Sequence, residues 1–497
     1  MKSVAAELAS APRMASAGSG LLGSVGFTEA LTTAEVQARW CITPLVERLR
    51  VVREARHRMA SRAEEFAAAI SPQLSRTKAD TLVTELLPLL DACKFLEREA
   101  KGVLAPRKLG RAGRPVWLRG VVAEIHREPL GHVLVIGPSN FPLFLPGVQA
   151  LQALVAGNTV TWKPGAGGGA VAHLVAEALR EAGLPTGVLT ITEESVEAAH
   201  NALATMPDKV IFTGSSKSGQ SVLAELSGSS TPAVVELSGA DALVVTPSAD
   251  LSRVAKAVAF GLRLNGGAVC MSPRRLLATQ STMTALRPLL DAELEKVPAV
   301  ALDATTTARL RGMLEEAMNA GAVLRGAFEP QSQRPLLVDH ATAGMSITRS
   351  DVFAPVLSLI AVESMQHVPE IYAECPYALT VSIFCGKAEE KKARALARVL
   401  KAGTVLINDV IAPTADPRVP FGGRGESGYG VTRGAEGLLE MTAVKTLLIR
   451  RGGAMRHLDA TRDEDTQMFA ALIGTMHGKG LVRRWSAIKR LMKSARH

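Results

Sequence analysis

The sequence predicts an α/β protein with two doubly wound domains, each built around a mainly parallel sheet. Short apolar runs of strand length alternate with helical segments between residues 132 and 239, and the alternation restarts between residues 241 and 409. The chain has 497 residues, 47% hydrophobic and 21% charged, which is enough for two or three domains with full cores. We expect a site between two such domains.

The N-terminal part is predicted to be a disordered lead-in followed by helices. Residues 1–28 are rich in Ala, Ser and Gly and lack the continuous apolar core of a signal peptide. Residues 33–101 contain long runs of Glu, Arg, Leu and Ala, which favour helices.

Apolar runs then mark the strands of the two domains. In the first domain they are "HVLVIG" (132–137), "TVTWKPG" (159–165), "KVIFTG" (209–214) and "AVVELSG" (233–239). In the second they are "DALVVTP" (241–247), "RRLLAT" (274–279), "TVSIFCG" (380–386) and "GTVLIND" (403–409).

One stretch, Gly131 to Trp162, contains no charged residue and is long enough to suggest a membrane span. However, Pro138, Pro142 and Pro146 would interrupt a helix there, and several Asn and Gln side chains are poorly suited to lipid. A buried strand, turn and helix within a large core is the better interpretation.

Composition excludes several classes of protein. Aromatic residues make up only 4%, which argues against base-stacking platforms for single-stranded nucleic acid. The five cysteines show neither CxxC spacing nor nearby paired histidines, so we expect no metal site, no disulfide framework and a reducing cytoplasm. About seven of the ten excess positive charges lie between Lys479 and His497, which leaves the body nearly neutral. We therefore expect no nucleic-acid partner.

The C-terminal region, 453–497, is predicted to be a polar linker and then a basic amphipathic helix. Its apolar residues share one helical face: Leu481, Val482, Trp485, Ile488, Leu491 and Met492. A basic helix with Trp among its apolar residues suits an anionic membrane surface. Docking on its own protein or on a second subunit is an equal alternative.

The candidate nucleophile is Cys270, in "NGGAVCMSPRR". The small residues before it, Gly266 to Ala268, let a substrate approach closely, and the basic pair Arg274 and Arg275 would favour thiolate. Taken alone, the segment favours a buried structural thiol over a nucleophile.

Two further residues can support such chemistry. Glu236 ends an apolar run 34 residues before the cysteine, so it is exposed, ion-paired, or kept as a base with a raised pKa. Asn140 lies between two prolines in "GPSNFP", where a rigid turn can direct its amide towards an oxyanion. An ordinary turn asparagine is the alternative.

Two segments are candidates for phosphate binding. In "FTGSSKSG", Gly214 and Gly219 bracket a turn into a helix that carries Ser215, and such a turn presents backbone N–H groups to a pyrophosphate. Lys163 in "WKPG" follows a strand end, where an ammonium can reach a ribose or a phosphate. A structural turn and a solvated lysine remain the alternatives.

Taken together, these motifs identify a resemblance over roughly residues 30–450. The chain resembles the aldehyde dehydrogenase superfamily, of the NAD(P)-dependent, non-acylating type. Seven stretches occur in that family's order: "GPSNFP", "KPG" after "AGNTVTW", "FTGS…G", "ELSG", "GGAVC", "DVFAPV" and "DPRVPFGG…SG". The interval from Glu236 to Cys270 also matches.

The resemblance implies a mechanism. Cys270 would attack the aldehyde to give a thiohemiacetal, with its oxygen held by the Asn140 amide and the Cys270 backbone N–H. Loss of hydride to NAD or NADP would leave a thioester, and Glu236 would activate water to release the carboxylic acid.

The resemblance also implies a set of residues that contact the cofactor. Lys163 would bind the ribose, and Gly214, Ser215 and Gly219 would lie along the pyrophosphate. Asp351 and Phe353 would lie near the nicotinamide.

Several positions depart from the family pattern. Ser139 stands where many members have Trp, Ala354 replaces a Gly, and Asp351 replaces a Glu. Ala166 replaces an acidic residue that would bind the ribose 2′-hydroxyl and repel a 2′-phosphate. We therefore expect NADP to be accepted at least as well as NAD.

The resemblance implies two Rossmann-like domains, with a small bridging β-hairpin for oligomerisation into a homodimer or homotetramer. The expected spans are 29–236 for the cofactor-binding domain with a bridging segment near 115–131, 237–440 for the catalytic domain, and 441–452 for a return strand.

Two alternative functions remain open at this stage. One is a CoA-acylating dehydrogenase, against which Glu236 argues, and the other is a non-catalytic scaffold on a decayed fold. Because no charged residue can be assigned to the substrate pocket, an apolar aldehyde is favoured as the substrate. We expect a cytoplasmic enzyme, which would be peripheral to the membrane if its basic helix binds lipid.

Overall fold

The computed structural model describes residues 32–70, 74, 76–452 and 455–494; the expected lead-in at 1–28 lies outside them. The chain divides into two compact units. The larger unit extends to Ala105 and includes Arg127–Val444, and the smaller unit contains Pro106–His126 and the chain from Lys445 onward.

Helices and strands alternate along most of the described chain. Its α-helices are α1 (Thr33–Ile42), α2 (Leu45–Ser61), α3 (Ala63–Ala69), α4 (Lys78–Thr81), α5 (Leu87–Val103), α6 (Phe144–Ala156), α7 (Gly169–Glu181), α8 (Val196–Ala204), α9 (Ser216–Leu226), α10 (Leu251–Arg263), α11 (Gln280–Leu294), α12 (Ala304–Asn319), α13 (Val368–Ala373), α14 (Glu390–Val399), α15 (Gly434–Glu440), α16 (Thr466–His477) and α17 (Leu481–Ser494). Its strands are β1 (Arg107–Leu109), β2 (Val121–Pro129), β3 (His132–Ile136), β4 (Thr159–Lys163), β5 (Leu189–Ile191), β6 (Lys209–Thr213), β7 (Ala233–Glu236), β8 (Asp241–Val245), β9 (Pro273–Thr279), β10 (Val323–Arg325), β11 (Leu336–Asp339), β12 (Val356–Val362), β13 (Tyr377–Ala378), β14 (Thr380–Phe384), β15 (Thr404–Ile407), β16 (Arg424–Gly425), β17 (Gly428–Tyr429) and β18 (Thr442–Arg450).

The first large sheet has the strand order β17-β7-β6-β3-β4-β5. The pairings from β7 to β5 are parallel, and the short β17 closes one edge antiparallel to β7. Because parallel strands share one carboxyl edge, the segments after β3, β4, β6 and β7 come together there. These segments contain most of the residues that the sequence indicated.

The second large sheet has the order β10-β11-β12-β9-β8-β14-β15. It is parallel apart from the β10–β11 edge. Two doubly wound α/β sheets are present, so the predicted fold class is confirmed. Strands β10, β11 and β12 are not indicated by the sequence pattern, because their apolar runs do not alternate with a clear helical pattern.

The charge-free stretch forms β3 and α6, as expected. Every residue of α6 is buried, and Pro146 lies in its first turn, where the missing N–H would have no partner in the helix. None of the helices that the structure describes is both long and apolar enough to cross a membrane.

The smaller unit combines strands and two C-terminal helices. The sheet β1-β2-β18 extends beyond the expected bridging segment, because β2 begins at Val121 and pairs with the upstream β1. Between the expected linker and the expected C-terminal helix, the chain forms a further helix, α16, which the sequence did not indicate. Helix α17 packs against α16 through small residues: Ala471 and Ala487 are buried, and Gly474 faces Ala487. Leu481, Val482, Trp485 and Met492 remain exposed.

Candidate active site

A cleft of about 890 Å³ opens at the carboxyl edge of the first sheet. Ser139, Gly214 and Ser215 line it from that sheet, and Cys270 and Phe353 line it from the second domain. The cleft lies at the topological switch point where doubly wound sheets bind ligands.

The loop before Cys270 is built from three successive left-handed residues. Asn265, Gly266 and Gly267 have φ of 52°, 60° and 79°. A side chain at Gly267 would place its Cβ 2.8 Å from the backbone of Ala354, so only glycine lets this loop pack so closely. Gly266 and Ala268 line the cleft, which leaves the cysteine accessible.

Cys270 and Glu236 lie together. The Cys270 Sγ is 3.9 Å from Oε1 of Glu236, whose other oxygen, Oε2, is buried without a hydrogen-bond partner among the described residues. Burial raises the pKa of the Glu236 carboxyl to about 7, although Arg433 and the Cys270 thiol oppose the increase. Burial, Glu236 and Asp241 raise the pKa of the Cys270 thiol well above its usual value.

A second, mainly apolar cavity of about 370 Å³ reaches the same pair from the other side. Phe141, Phe144, Met271 and Phe421 are among its lining residues. Because Cys270 and Glu236 line both spaces, two different molecules can approach the thiol from opposite sides.

Asn140 also lies at this junction. The side-chain amide of Asn140 donates to the backbone carbonyl of Ala268 over 3.0 Å. The backbone carbonyl of Asn140 accepts from the side-chain amide of Asn265 over 3.1 Å. These bonds connect the "GPSNFP" turn to the cysteine loop.

A buried ion pair supports the Asn140 turn from behind. Glu85, in a wide helical turn between α4 and α5, pairs with Arg76 and accepts from the backbone N–H groups of Leu143 and Phe144 at 3.1 and 2.7 Å. Arg76 and Glu85 were not indicated by the sequence, because charged residues in a helical segment are usually on its surface.

The cleft fits a dinucleotide. Ser215 caps the N-terminus of α9, accepting from the Ser218 N–H, and Gly214 precedes it. A Cβ at Gly214 would lie 2.6 Å from the Phe212 ring, so the backbone there stays bare. The free N–H groups of this helix terminus are suitable for a pyrophosphate. Ala166 and Phe353 line the same cleft.

Three residues expected near a cofactor are placed differently. Lys163, at the end of β4, is largely buried and does not line the cleft. Gly219 lies inside α9, where a Cβ would meet the Leu237 side chain at 2.4 Å, so its small size serves packing. Asp351 lines a separate small pocket and pairs with Arg309 over 2.5 Å.

The basic pair after Cys270 does not bind the thiol. Arg274 donates to the carbonyls of Ala354, Gly267 and Val269, and Arg275 donates to those of Ala240 and Tyr372. These arginines hold the loops in place.

Two charged groups near the site were missed by the sequence. Glu194, from the loop after β5, accepts from the backbone N–H groups of Gly167 and Gly169, each over 2.6 Å, beside Ala166. Arg433 lines the apolar cavity together with Cys270 and Glu236. Neither lies in a motif that carries chemistry, so only the fold could reveal them.

The model of the aldehyde dehydrogenase family matches residues 24–447. The chain belongs to this family. Its activity is the NAD(P)-dependent oxidation of an aldehyde to the carboxylic acid, which confirms the predicted resemblance, enzyme class and cofactor type. Nothing in these findings supports the CoA-acylating or scaffold alternative.

Among curated relatives, the chain is 27% identical over 414 residues to 4,4'-diapolycopene aldehyde oxidase of a Methylomonas species, which covers 81% of this chain and 77% of that protein. It is 32% identical over 349 residues to the NADP/NAD-dependent aldehyde dehydrogenase PuuC of Escherichia coli, with coverage of 66% and 69%. Among solved structures, it matches NADP-dependent glyceraldehyde-3-phosphate dehydrogenase from Bacillus halodurans, complexed with NADP, with a TM-score of 0.77 and 26% identity over 84% of this chain and 90% of that one.

Proposed function

We propose that Cys270 is the nucleophile of this oxidation and Glu236 its base. The observation that carries the proposal is the 3.9 Å approach of the thiol to a buried carboxylate at the point where two cavities meet. Ionised Glu236 accepts the thiol proton and passes it to solvent, which returns the carboxylate for the later step, and the thiolate attacks the aldehyde carbon to form a thiohemiacetal. The Asn140 amide, freed from Ala268, and the Cys270 N–H donate to its oxygen.

The nicotinamide dinucleotide, when bound, supplies the acceptor for the hydride that leaves the thiohemiacetal carbon. A thioester then remains on Cys270. Glu236 takes a proton from water, the hydroxide adds to the thioester, and the carboxylic acid leaves as the Cys270 sulfur departs. We assign Gly214 and Ser215 to the pyrophosphate and Phe353 to the nicotinamide, since all three line the cleft. We assign no cofactor contact to Lys163, Gly219 and Asp351 with the same support, because these three residues do not line the cleft.

We further propose that the substrate is an apolar aldehyde. The cavity of about 370 Å³ on the far side of Cys270 is lined mostly by aromatic and aliphatic side chains, which favour an apolar chain over a hydrated one. One relative of the chain is named 4,4'-diapolycopene aldehyde oxidase, and the aldehyde in that name agrees with this choice. A panel of aliphatic, aromatic and carboxylated aldehydes tests it, with reduced-nicotinamide absorbance as the readout. Preference for a short polar aldehyde would contradict it.

We expect NADP to be used at least as well as NAD, because Ala166 cannot repel a 2′-phosphate. The Glu194 carboxylate opposes binding of the 2′-phosphate of NADP, since it accepts from the backbone N–H groups of Gly167 and Gly169, next to Ala166. Glu194→Gln should raise the NADP-to-NAD efficiency ratio by roughly fivefold, which corresponds to about 1 kcal/mol of charge interaction. Dissociation constants for both dinucleotides provide a second readout.

Glu193→Gln is the matched control, because it removes the charge of a neighbouring glutamate whose side chain is exposed. A wild-type preference of a hundredfold or more for NAD would contradict the NADP expectation. An unchanged ratio in Glu194→Gln would show that this carboxylate does not reach the ribose.

We propose, from the family resemblance, that the enzyme is a homodimer or homotetramer. We also propose that α17 attaches the enzyme to anionic membranes. Leu481, Val482, Trp485 and Met492 are exposed although α17 already packs on α16 through Ala487, so the apolar stripe faces away from this contact. Near-surface basic residues contribute about 1 kcal/mol each towards anionic lipid.

The full chain should therefore float with anionic liposomes, and a chain ending at Ala454 should not. Trp485→Ala together with Val482→Ser should weaken flotation, because it removes exposed apolar surface without changing the charge. Equal flotation of the full and shortened chains would contradict the membrane proposal. Light scattering on both chains would then show whether the segment joins subunits instead.

A further inference from the structure

Arg433 is an arginine where the backbone favours glycine. Its φ is 63°, in the left-handed region, and it follows Thr432, which pairs antiparallel with Phe421. Its N–H donates to Oε1 of Gln152 over 3.3 Å, and its carbonyl accepts from the Gly437 N–H over 2.8 Å. A strained non-glycine backbone held by such contacts often marks a functional position.

The guanidinium of Arg433 is buried and incompletely bonded. Its carbon lies 4.4 Å from the Phe421 ring centre and 5.5 Å from that of Phe144. Nη1 donates to the Thr414 carbonyl, whereas Nε and Nη2 are buried without a hydrogen-bond partner among the described residues. No ion pair of Arg433 occurs in the part of the chain that the structure describes. A buried cation in this state requires a compensating anion nearby.

The anions that Arg433 faces are those of the proposed reaction. Its guanidinium lines the apolar cavity together with Glu236 and Cys270. Burial lowers the pKa of Arg433, and Glu236 and Cys270 are the two groups that oppose the decrease. Conversely, Arg433 opposes the effect of burial on the pKa of both the carboxyl and the thiol. These pKa effects agree with the position of Arg433, Glu236 and Cys270 around the same cavity.

Other charged groups do not supply this compensation. The cavity also contains Asp80 and Arg263, but these pair with each other over 3.9 Å. Asp241, in contact with Thr380, adds negative charge near Cys270, and the Arg274 guanidinium is bonded to main-chain carbonyls. Arg433 is thus a buried cation of the cavity, with two guanidinium nitrogens, Nε and Nη2, that lack a partner among the described residues.

We propose that Arg433 is the counter-charge of the Cys270–Glu236 pair, stabilising the thiolate and the carboxylate on which the reaction depends. The inference rests on the proposed roles of those two residues. Arg433 acts through Cys270 and Glu236: its positive charge stabilises their ionised forms, and it takes no part in bond making or breaking itself. It is therefore a positioning residue. It provides the positive charge that the sequence suggested for Arg274 and Arg275.

The pH dependence of Cys270 alkylation by iodoacetamide, followed by intact mass without cofactor, tests this directly. Arg433→Met keeps a chain of similar length between the two rings but removes the charge. Its apparent pKa for Cys270 should rise by about one unit, and alkylation near neutral pH should fall about tenfold. Arg433→Lys should restore most of the wild-type rate. Arg287→Met, which removes a partly buried arginine that pairs with Asp339 outside both cavities, should leave the rate unchanged.

An unshifted pKa in folded Arg433→Met would overturn the proposal. If that variant does not fold, the same comparison is made with Arg433→Gln, whose side chain is also neutral. A loss confined to the efficiency with carboxylated aldehydes, with alkylation unchanged, would overturn it in favour of substrate recognition. Alkylation of Cys270 can be measured without turnover, so it tests the role of Arg433 alone. Failure of the Cys270 assignment would show separately, as normal oxidation by Cys270→Ala.

Discussion

Cys270→Ala is expected to abolish aldehyde oxidation, lowering kcat by a factor of roughly 10⁴ or more. The alanine has no group that can form the thiohemiacetal, and the other cysteines lie elsewhere: Cys93, Cys375 and Cys385 are buried, and Cys41 belongs to α1. The measurement is the formation of reduced nicotinamide with saturating aldehyde and dinucleotide.

Cys41→Ser is the matched control, because it removes a partly exposed thiol far from the cleft in sequence. It should retain wild-type activity. Dinucleotide affinity should also survive in Cys270→Ala, since the cleft backbone at Gly214 and Ser215 is unchanged. Substantial oxidation by folded Cys270→Ala would refute the assigned nucleophile.

Glu236→Gln is expected to slow release of the acid by about 10²- to 10⁴-fold, so that an acyl-enzyme accumulates. The amide preserves the size of the side chain but cannot accept a proton from water. Removing the carboxylate also removes a charge that raises the pKa of the Cys270 thiol, so the thiol proton can leave to solvent and the acyl-enzyme still forms. Intact mass after a brief reaction should show the enzyme plus one acyl group, and rapid mixing should show a burst of reduced nicotinamide. Normal turnover without such an adduct would show that another group is the base.

The pH profile gives an independent check of the same assignment. Burial raises the pKa of Glu236 to about 7, and a general base acts in its ionised form. Release of the acid by the wild-type enzyme should therefore increase as pH rises through about 7 and level off above it. Glu236→Gln should lose this limb of the profile.

The fold could be predicted from sequence where local patterns are strong. Strands β3, β4, β6 and β7 are continuous apolar runs bounded by turns, and their alternation with helices allows few topologies. Strands β10, β11 and β12 were not predicted, because no clear helical pattern alternates with their apolar runs. Helix α16 was overlooked because polar residues precede it and its own apolar face is short.

The candidate site was only partly accessible from sequence. Cys270 and Asn140 lie in turn motifs, Glu236 ends an apolar run, and the three occur in a recognisable order, so their proximity could be anticipated. Arg433 and Glu194 carry no such signal. Each comes from a separate segment of the chain, and its relevance depends on which loops the sheets bring together at one edge.

By itself, the sequence determined the two-sheet α/β class, the family and the reaction, and it indicated the proposed pair of reacting groups, because ordered motifs encode turns and reactive residues locally. Tertiary structure alone decided the electrostatics around that pair. Burial depends on every layer that covers a side chain, and the charge at Cys270 depends on Arg433, which lies 163 residues further along the chain (433 minus 270). Such long-range proximity is created by folding, so the protonation of the site could not be inferred from the motifs.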